Sequence, residues 1–184
     1  MKRLHQGLVV SLSKSASHSF SKQACDTIEL IAGVGIRGDV HAGRKVKHLS
    51  RVAADPDQPN LRQVHLIPAE LHDWLADEGF RLHPSALGEN VLTSGLDLQS
   101  FPRGTHLRFP SGAELEITGL RNPCAQIEQF MPGLLGKVVW RDREGVVVRR
   151  AGIMAIVIAG GEVAVGDTIE AIMPQPPYLP LERV

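Results

Sequence analysis

Cys124 stands in the run Arg121-Asn122-Pro123-Cys124, directly after a strand-like segment and directly before a helix-like one. A helix start leaves backbone N–H groups unsatisfied and carries the positive end of the macrodipole; these, and a nearby guanidinium such as Arg121, favour thiolate over thiol. A thiolate so placed can attack, ligate a soft metal or carry sulfur. The other cysteine, Cys25, lies at a polar-to-strand transition without comparable neighbours and reads as a small hydrophobe.

A second group of residues has anion-binding chemistry. The stretch from Gly33 to Gly43 contains four glycines and must be a loop. With no Cβ in the way, the backbone at Gly38 and Gly43 could approach an anion closely. Asp39 is expected to cap its own loop through an Asx-type hydrogen bond, and His41 to face the ligand. Arg62 could fork onto a phosphate or carboxylate, or form a salt bridge to Glu89 or Asp39. Arg121 either serves Cys124 or is a solvated strand end. Lys45, Lys47, His48 and Arg51 form a basic run that either steers an anion or decorates a solvated loop. His41, His65 and Cys124 lack the compact spacing of a structural zinc site.

The elements that must position these residues are mostly short strands. Leu4 to Ser11 reads as a strand, Ser13 to Lys22 as a polar loop and Thr27 to Ile31 as a strand. Residues 44–60, basic and then Pro/Asp-rich, form a surface excursion of a length typical of lids or disorder. Arg62 to Ile67 is strand-like, and Pro68 then opens an amphipathic helix over Ala69 to Glu78, with Leu71, Trp74 and Leu75 at helical spacing. Gly88 to Thr93 is strand-like, and Thr105 to Phe109 with Glu114 to Leu120 form a hairpin around Pro110-Ser111-Gly112. Two short helices, Cys124 to Phe130 and Gly133 to Val138, break at Pro132. Strands follow at Gly145 to Arg150, Ile153 to Ala159 and Thr168 to Ile172, and the Pro-rich tail from Pro174 is extended. Many short strands with glycine turns and few helices imply a curved, mainly β barrel or sandwich with its helices at the periphery.

Composition narrows the function classes. The 184 residues, 43% hydrophobic, suit a single domain over 1–184 with one continuous core. Lys plus Arg equal Asp plus Glu at 20 each, so no overall field collects nucleic acid or an anionic membrane; any anion needs a local site. No run approaches the roughly 18 apolar residues of a membrane span, and no signal peptide is evident, so a cytoplasmic location with reduced cysteines is expected.

The ordered set Gly38-Asp39-Val40-His41-Ala42-Gly43, Arg62-Gln63-Val64, Gly88-Glu89-Asn90, Arg121-Asn122-Pro123-Cys124 and Gly166-Asp167 resembles the MOSC family, named for the C-terminal domain of molybdenum-cofactor sulfurase. The resemblance runs over nearly the whole chain. It implies a barrel-like β fold, a molybdenum-pterin (molybdopterin) cofactor or related ligand, and a sulfur-carrying or metal-ligating cysteine, here Cys124. The ligand would lie between the Gly38 loop, Arg62, Glu89 and the Cys124 turn, with Glu89 and Asn90 reading a pterin edge or merely tying down their turn.

Two mechanisms fit the resemblance. Cys124 passes persulfide sulfur from a desulfurase to a metal centre, or it ligates molybdenum in a reductase of N-hydroxylated compounds. The rival is a non-catalytic cofactor carrier or docking module. The full sulfurase carries a pyridoxal-phosphate desulfurase domain for which this length leaves no room, and with two cysteines this chain cannot supply a four-cysteine iron–sulfur cluster site by itself. Pyridoxal phosphate and electrons would therefore come from partners, a cysteine desulfurase or an electron-transfer protein. A curved β domain also leaves room for a homodimer at an exposed edge.

Overall fold

The computed structural model describes residues 5–47 and 49–184. Leu4 and His48 lie outside the described residues. Among the described residues, thirteen strands and four short helices follow one another, the first half comprising β1 (His5–Lys14), β2 (Gln23–Cys25), β3 (Thr27–Ile31), β4 (Gly35–Ile36), α1 (Leu49–Ala54), β5 (Val64–Pro68), α2 (Ala69–Asp77) and β6 (Val91–Ser94). The second half comprises β7 (His106–Arg108), β8 (Glu114–Leu120), α3 (Ala125–Phe130), α4 (Leu134–Val138), β9 (Val139–Arg141), β10 (Val147–Arg149), β11 (Ile153–Ala159), β12 (Gly161–Ala164) and β13 (Thr168–Ile172).

The protein is mainly β and closes a seven-stranded barrel in the order β13-β7-β8-β11-β5-β6-β1. Closure depends on the length of β1. Its first residues pair with β13, Gln6 opposite Glu170, while Leu8 to Leu12 pair with β6 across an irregularity between Val9 and Ser11. Such a bulge bends a strand and increases its twist, which lets one strand serve both neighbours. Val9, Leu12, Val64, Leu66, Leu107, Leu115, Ile117, Ile153 and Ile169 fill the interior. In the β7–β8 hairpin the expected alternation appears directly: Leu107, Phe109, Leu115 and Ile117 are buried.

A second apolar cluster lies outside the barrel, where Leu71 and Leu75 of α2, Ile127 of α3 and Leu134 and Val138 of α4 cover Ile67 of β5 and Leu92 of β6. Strand β5 thus has cover on both faces, and Val64 to Ile67 are all buried. That double cover suits its parallel pairing with β6 across α2. Of β11, Ile153 to Ala155 are covered in the same way, but Ile158 emerges to 42% exposure at the far end.

Several elements depart from the sequence reading. β1 runs on to Lys14, and β2 folds back on it with Leu12 opposite Cys25. The excursion over 44–60 holds α1 and is clasped at its base by a bridge between Lys45 and Pro59. β9 pairs with β10 around a turn in which Asp142 accepts hydrogen bonds from the Glu144 and Val146 amides. β12, in a stretch between two expected strands to which the sequence reading assigns none, pairs with β3 through Glu162 opposite Glu29. These elements are short and held by distant partners, so local pattern does not announce them.

The segment after β13 returns along the barrel. The Leu120 amide donates to Glu182 at 2.7 Å, the Val184 amide to Leu120 at 3.3 Å, and the Arg103 amide to Leu179 at 2.9 Å. Gly119 makes this approach possible, because a Cβ there would strike the Glu182 carbonyl and lie 2.6 Å from the Val184 side chain. Gly119→Ala is expected to cost about 1–3 kcal/mol by overpacking. Amide exchange should accelerate at Leu120 and Val184; protection equal to wild type at both amides would contradict the seating role.

Candidate functional site

A cleft of about 540 Å³ opens where the loop before β2, the loop after β4, the start of β5, the turn before β6 and the β8–α3 connection converge. Lys22, His41, Arg62, Asn90, Arg121 and Cys124 all line it, together with His65, Met154 and the amide side chains of Asn122, Gln126 and Gln129. Of the residues singled out in the sequence, the fold therefore brings His41, Arg62, Asn90, Arg121 and Cys124 to one concave surface. Gly38, Asp39, Gly43 and Glu89 lie outside its lining.

Asp39 sits behind the wall as its organiser. Its carboxylate is buried and accepts from Lys22 Nζ at 2.7 Å, the His41 amide at 2.9 Å, Asn90 Nδ2 at 3.1 Å and the Ser15 amide at 3.2 Å. His41 Nδ1 lies 3.2 Å from Asp39 Oδ1, the oxygen that also accepts its own amide, and the His18 ring meets His41 edge-on at 5.7 Å. Burial would raise the Asp39 carboxyl, but the hydrogen bonds from His41 and Lys22 and the Lys22 charge outweigh it and hold it well below the usual carboxylate range. Burial pushes the Lys22 ammonium down, against the pull of Asp39.

Several amides of the glycine loop are spent within the protein. The Gly43 amide donates to Val34, Ala42 to Asp39 and Asp39 to Ile36, while Asn60 Nδ2 ties the His41 and Gly43 carbonyls together. Gly38 is exposed and adopts φ +79. Glu89 is buried and accepts from the Ser85 amide at 2.6 Å and the Leu87 amide at 3.1 Å, so it ties down its own turn. Asn90 lines the cleft, yet its amide is committed: Oδ1 accepts from the His65 amide, and Nδ2 donates to Ser13 and Asp39.

Arg62 makes no salt bridge to Glu89 or Asp39. Burial, then the charges of Arg51, Arg121 and Arg183, push its guanidinium down to about 10. Arg121 extends from the end of β8 so that its Nη1 is fully buried without a hydrogen-bond partner among the described residues. Burial lowers its pKa, while Cys124 and then Glu89 oppose the loss of its charge. Cys124 itself is exposed at the position preceding α3, and its thiol reaches Gln126 Oε1 at 3.6 Å. The site can thus present a soft nucleophilic sulfur beside guanidinium groups in need of counter-charge.

Lys22 is one cleft residue that sequence reasoning missed, as are Gln126, Gln129 and Met154. It ends a polar Ser/Lys/His run, where a lysine normally faces solvent, and no spacing signals that a carboxylate seventeen positions on will bury it. His65 is buried with Nε2 donating to the Ala151 carbonyl at 2.8 Å. Burial, reinforced by the Arg121 charge, pushes this imidazole well below its ordinary value. The unfolded chain then binds a proton that the folded chain refuses. The associated stability is present above about pH 6.5 and declines as the pH falls below it. The urea midpoint is expected to drop between about pH 7 and 5, and His65→Gln should flatten that slope. An unchanged slope in the variant would remove His65 as the cause.

A closed β-barrel with peripheral helices and a cysteine-bearing basic cleft defines the class: this chain belongs to the MOSC domain family, whose model matches residues 37–170. It is similar to YuaD of Bacillus subtilis (strain 168), a protein provisionally named for metal-sulfur cluster biosynthesis. The two are 33% identical over 175 residues, covering 90% of this chain and 88% of that protein. The crystal structure of YuaD from Bacillus subtilis superposes with a TM-score of 0.76 at 28% identity, over 95% of this chain and 100% of that one. YiiM from Escherichia coli shares the fold, with a TM-score of 0.58 at 19% identity over 97% of this chain and 74% of that one. Among the described residues, no helix is long and apolar enough to cross a membrane.

Proposed function

We propose that this protein serves molybdenum-cofactor or metal–sulfur chemistry by carrying sulfur as a persulfide on Cys124. The observation that carries the reading is the exposed Cys124 thiol sharing one cleft with Arg121, a guanidinium whose charge Cys124 supports. The Cys124 thiolate attacks the outer sulfur of a donor persulfide, R–S–SH. The donor S–S bond breaks, R–S⁻ leaves, and a Cys124–S–SH bond forms without net oxidation or reduction. A second nucleophile attacking that outer sulfur takes it away and returns Cys124 as thiolate. In both steps Arg121 steadies the negative sulfur. A desulfurase partner would supply the donor.

The lining also fits the charge and softness of a molybdenum-pterin ligand. Arg62 and Arg121 would hold its phosphate, Cys124 would be its soft ligand, and the amides of Asn122, Gln126 and Gln129 would meet the heterocycle in place of the committed Asn90 and Glu89. When bound, such a group supplies a redox-active metal for reduction of N-hydroxylated substrates, with electrons from a partner.

Sulfur loading separates the readings. Incubation with a cysteine desulfurase and free cysteine, read by intact mass, is expected to add one sulfur atom per chain at Cys124. Absence of that gain, together with stoichiometric molybdenum that Cys124→Ser loses, would replace the carrier with the metal-ligand reading.

A further inference from the structure

Behind the cleft, a buried histidine faces a buried carboxylate without bonding to it. His72 of α2 is buried, and its Nε2 has no hydrogen-bond partner among the described residues. That nitrogen lies 3.7 Å from Glu89 Oε1, beyond hydrogen-bond range. The same oxygen accepts from the Ser85 amide at 2.6 Å, while Oε2 accepts from the Leu87 amide at 3.1 Å. A buried nitrogen left unsatisfied beside an acceptor already in use is a place where one added proton changes the bonding.

The turn that Glu89 holds is a wall of the cleft, since Leu87, Gly88 and Asn90 line it. Ser85 Oγ donates to the Lys22 carbonyl at 2.9 Å, and the Lys22 amide donates to the Ser85 carbonyl at 3.3 Å. The turn therefore also steadies the loop that brings Lys22 into the lining. Ser85 holds φ +68, and among the described residues it is the one non-glycine residue with a positive φ. A left-handed serine keeps that conformation only while its surroundings hold it there, and the bond from its amide to Glu89 is one such restraint.

We infer that His72 and Glu89 form a proton-operated clasp: protonation of His72 draws Glu89 Oε1 off the Ser85 amide and loosens the turn that carries Leu87, Gly88 and Asn90 into the cleft. The neutral imidazole leaves the Ser85 bond intact. The imidazolium donates at both ring nitrogens, and its Nε2–H competes with the Ser85 amide for Oε1 through a charge-assisted bond. Besides Glu89, the groups acting on His72 are Asp73 of the same helix and His83 of the segment after it, while Lys22 and Arg121 act on Glu89 from the cleft side. Burial keeps the His72 imidazole below its ordinary value against the pull of Glu89 and Asp73, so the clasp changes state as the pH falls below about 6.5. The inference is independent of what the cleft binds and of sulfur transfer at Cys124.

Proton–nitrogen NMR titration of the full chain between about pH 8 and 5 tests it. The Ser85 amide is expected to shift with the same midpoint as the His72 ring, and its exchange protection to fall about tenfold across that midpoint. His72→Gln should abolish both responses, because glutamine takes up no proton, and His83→Gln should leave them. The coincidence of midpoints is read in the wild-type chain, so the test stands if His72→Gln fails to fold. A Ser85 amide that keeps its shift and protection across the His72 midpoint would overturn the clasp, as would a response that survives His72→Gln or disappears in His83→Gln. No sulfur donor enters the titration, so its failure and the failure of the persulfide reading are separate results.

Discussion

Replacing Cys124 with serine is expected to abolish sulfur loading, by at least about a hundredfold, while leaving the fold intact. The hydroxyl is a far weaker nucleophile at neutral pH and holds neither a persulfide nor a soft metal. Stability should change little. The side chain is exposed, its thiol approaches Gln126 at 3.6 Å, and it forms no capping hydrogen bond at the start of α3. Surface changes of this kind usually stay within about 0.5 kcal/mol. Serine is also a favourable residue at that capping position, so a small gain in Tm is consistent with the structure. Loading by the serine variant at the wild-type rate would remove Cys124 from the chemistry altogether.

The second large effect belongs to Asp39, whose work is architectural. Asp39→Ala deletes the acceptor for Lys22, Asn90, Ser15 and His41 and leaves the Lys22 ammonium, 3% exposed, without its counter-ion. Breaking one side of a buried pair costs about 3–5 kcal/mol. For a chain of this size that corresponds to a fall in Tm of roughly 6–20 °C. Adding Lys22→Met should recover much of the loss, because the stranded charge leaves with it. A single variant that loses less than about 1 kcal/mol, or a double variant no better than Asp39→Ala, would contradict the assignment. The pH dependence has a definite sign. Because the folded carboxyl sits below its unfolded value, its stabilisation is complete above about pH 4 and is lost as the pH falls through the folded value.

These expectations differ in how far they could be reached from sequence. The setting of Cys124 between a strand and a helix was legible, since Glu114–Leu120 and Ala125–Phe130 appear as strand and helix on either side. The alternation of Leu107, Phe109, Leu115 and Ile117 likewise encodes its own burial, because successive side chains of a strand point to opposite faces. The helix from Ala69 declared itself through Pro68 and its apolar spacing. By contrast, the reading of Arg62 left phosphate and salt bridge open, and nothing local separated them. The polar run ending at Lys22 gave no sign of a buried ion pair.

Local pattern sets the longer segments, among them Glu114–Leu120, Ile153–Ala159 and the helix from Ala69, and shows that a cysteine stands ahead of a short helix. Only the folded chain brings β1 against both β13 and β6 to close the barrel, and gathers Lys22, Arg62 and Arg121 into one cleft with Cys124. The reason is one of range. Side-chain periodicity and turn propensity act within a few residues and are written locally, whereas the meeting of charges far apart in the chain depends on strand register and barrel closure, which no local pattern contains.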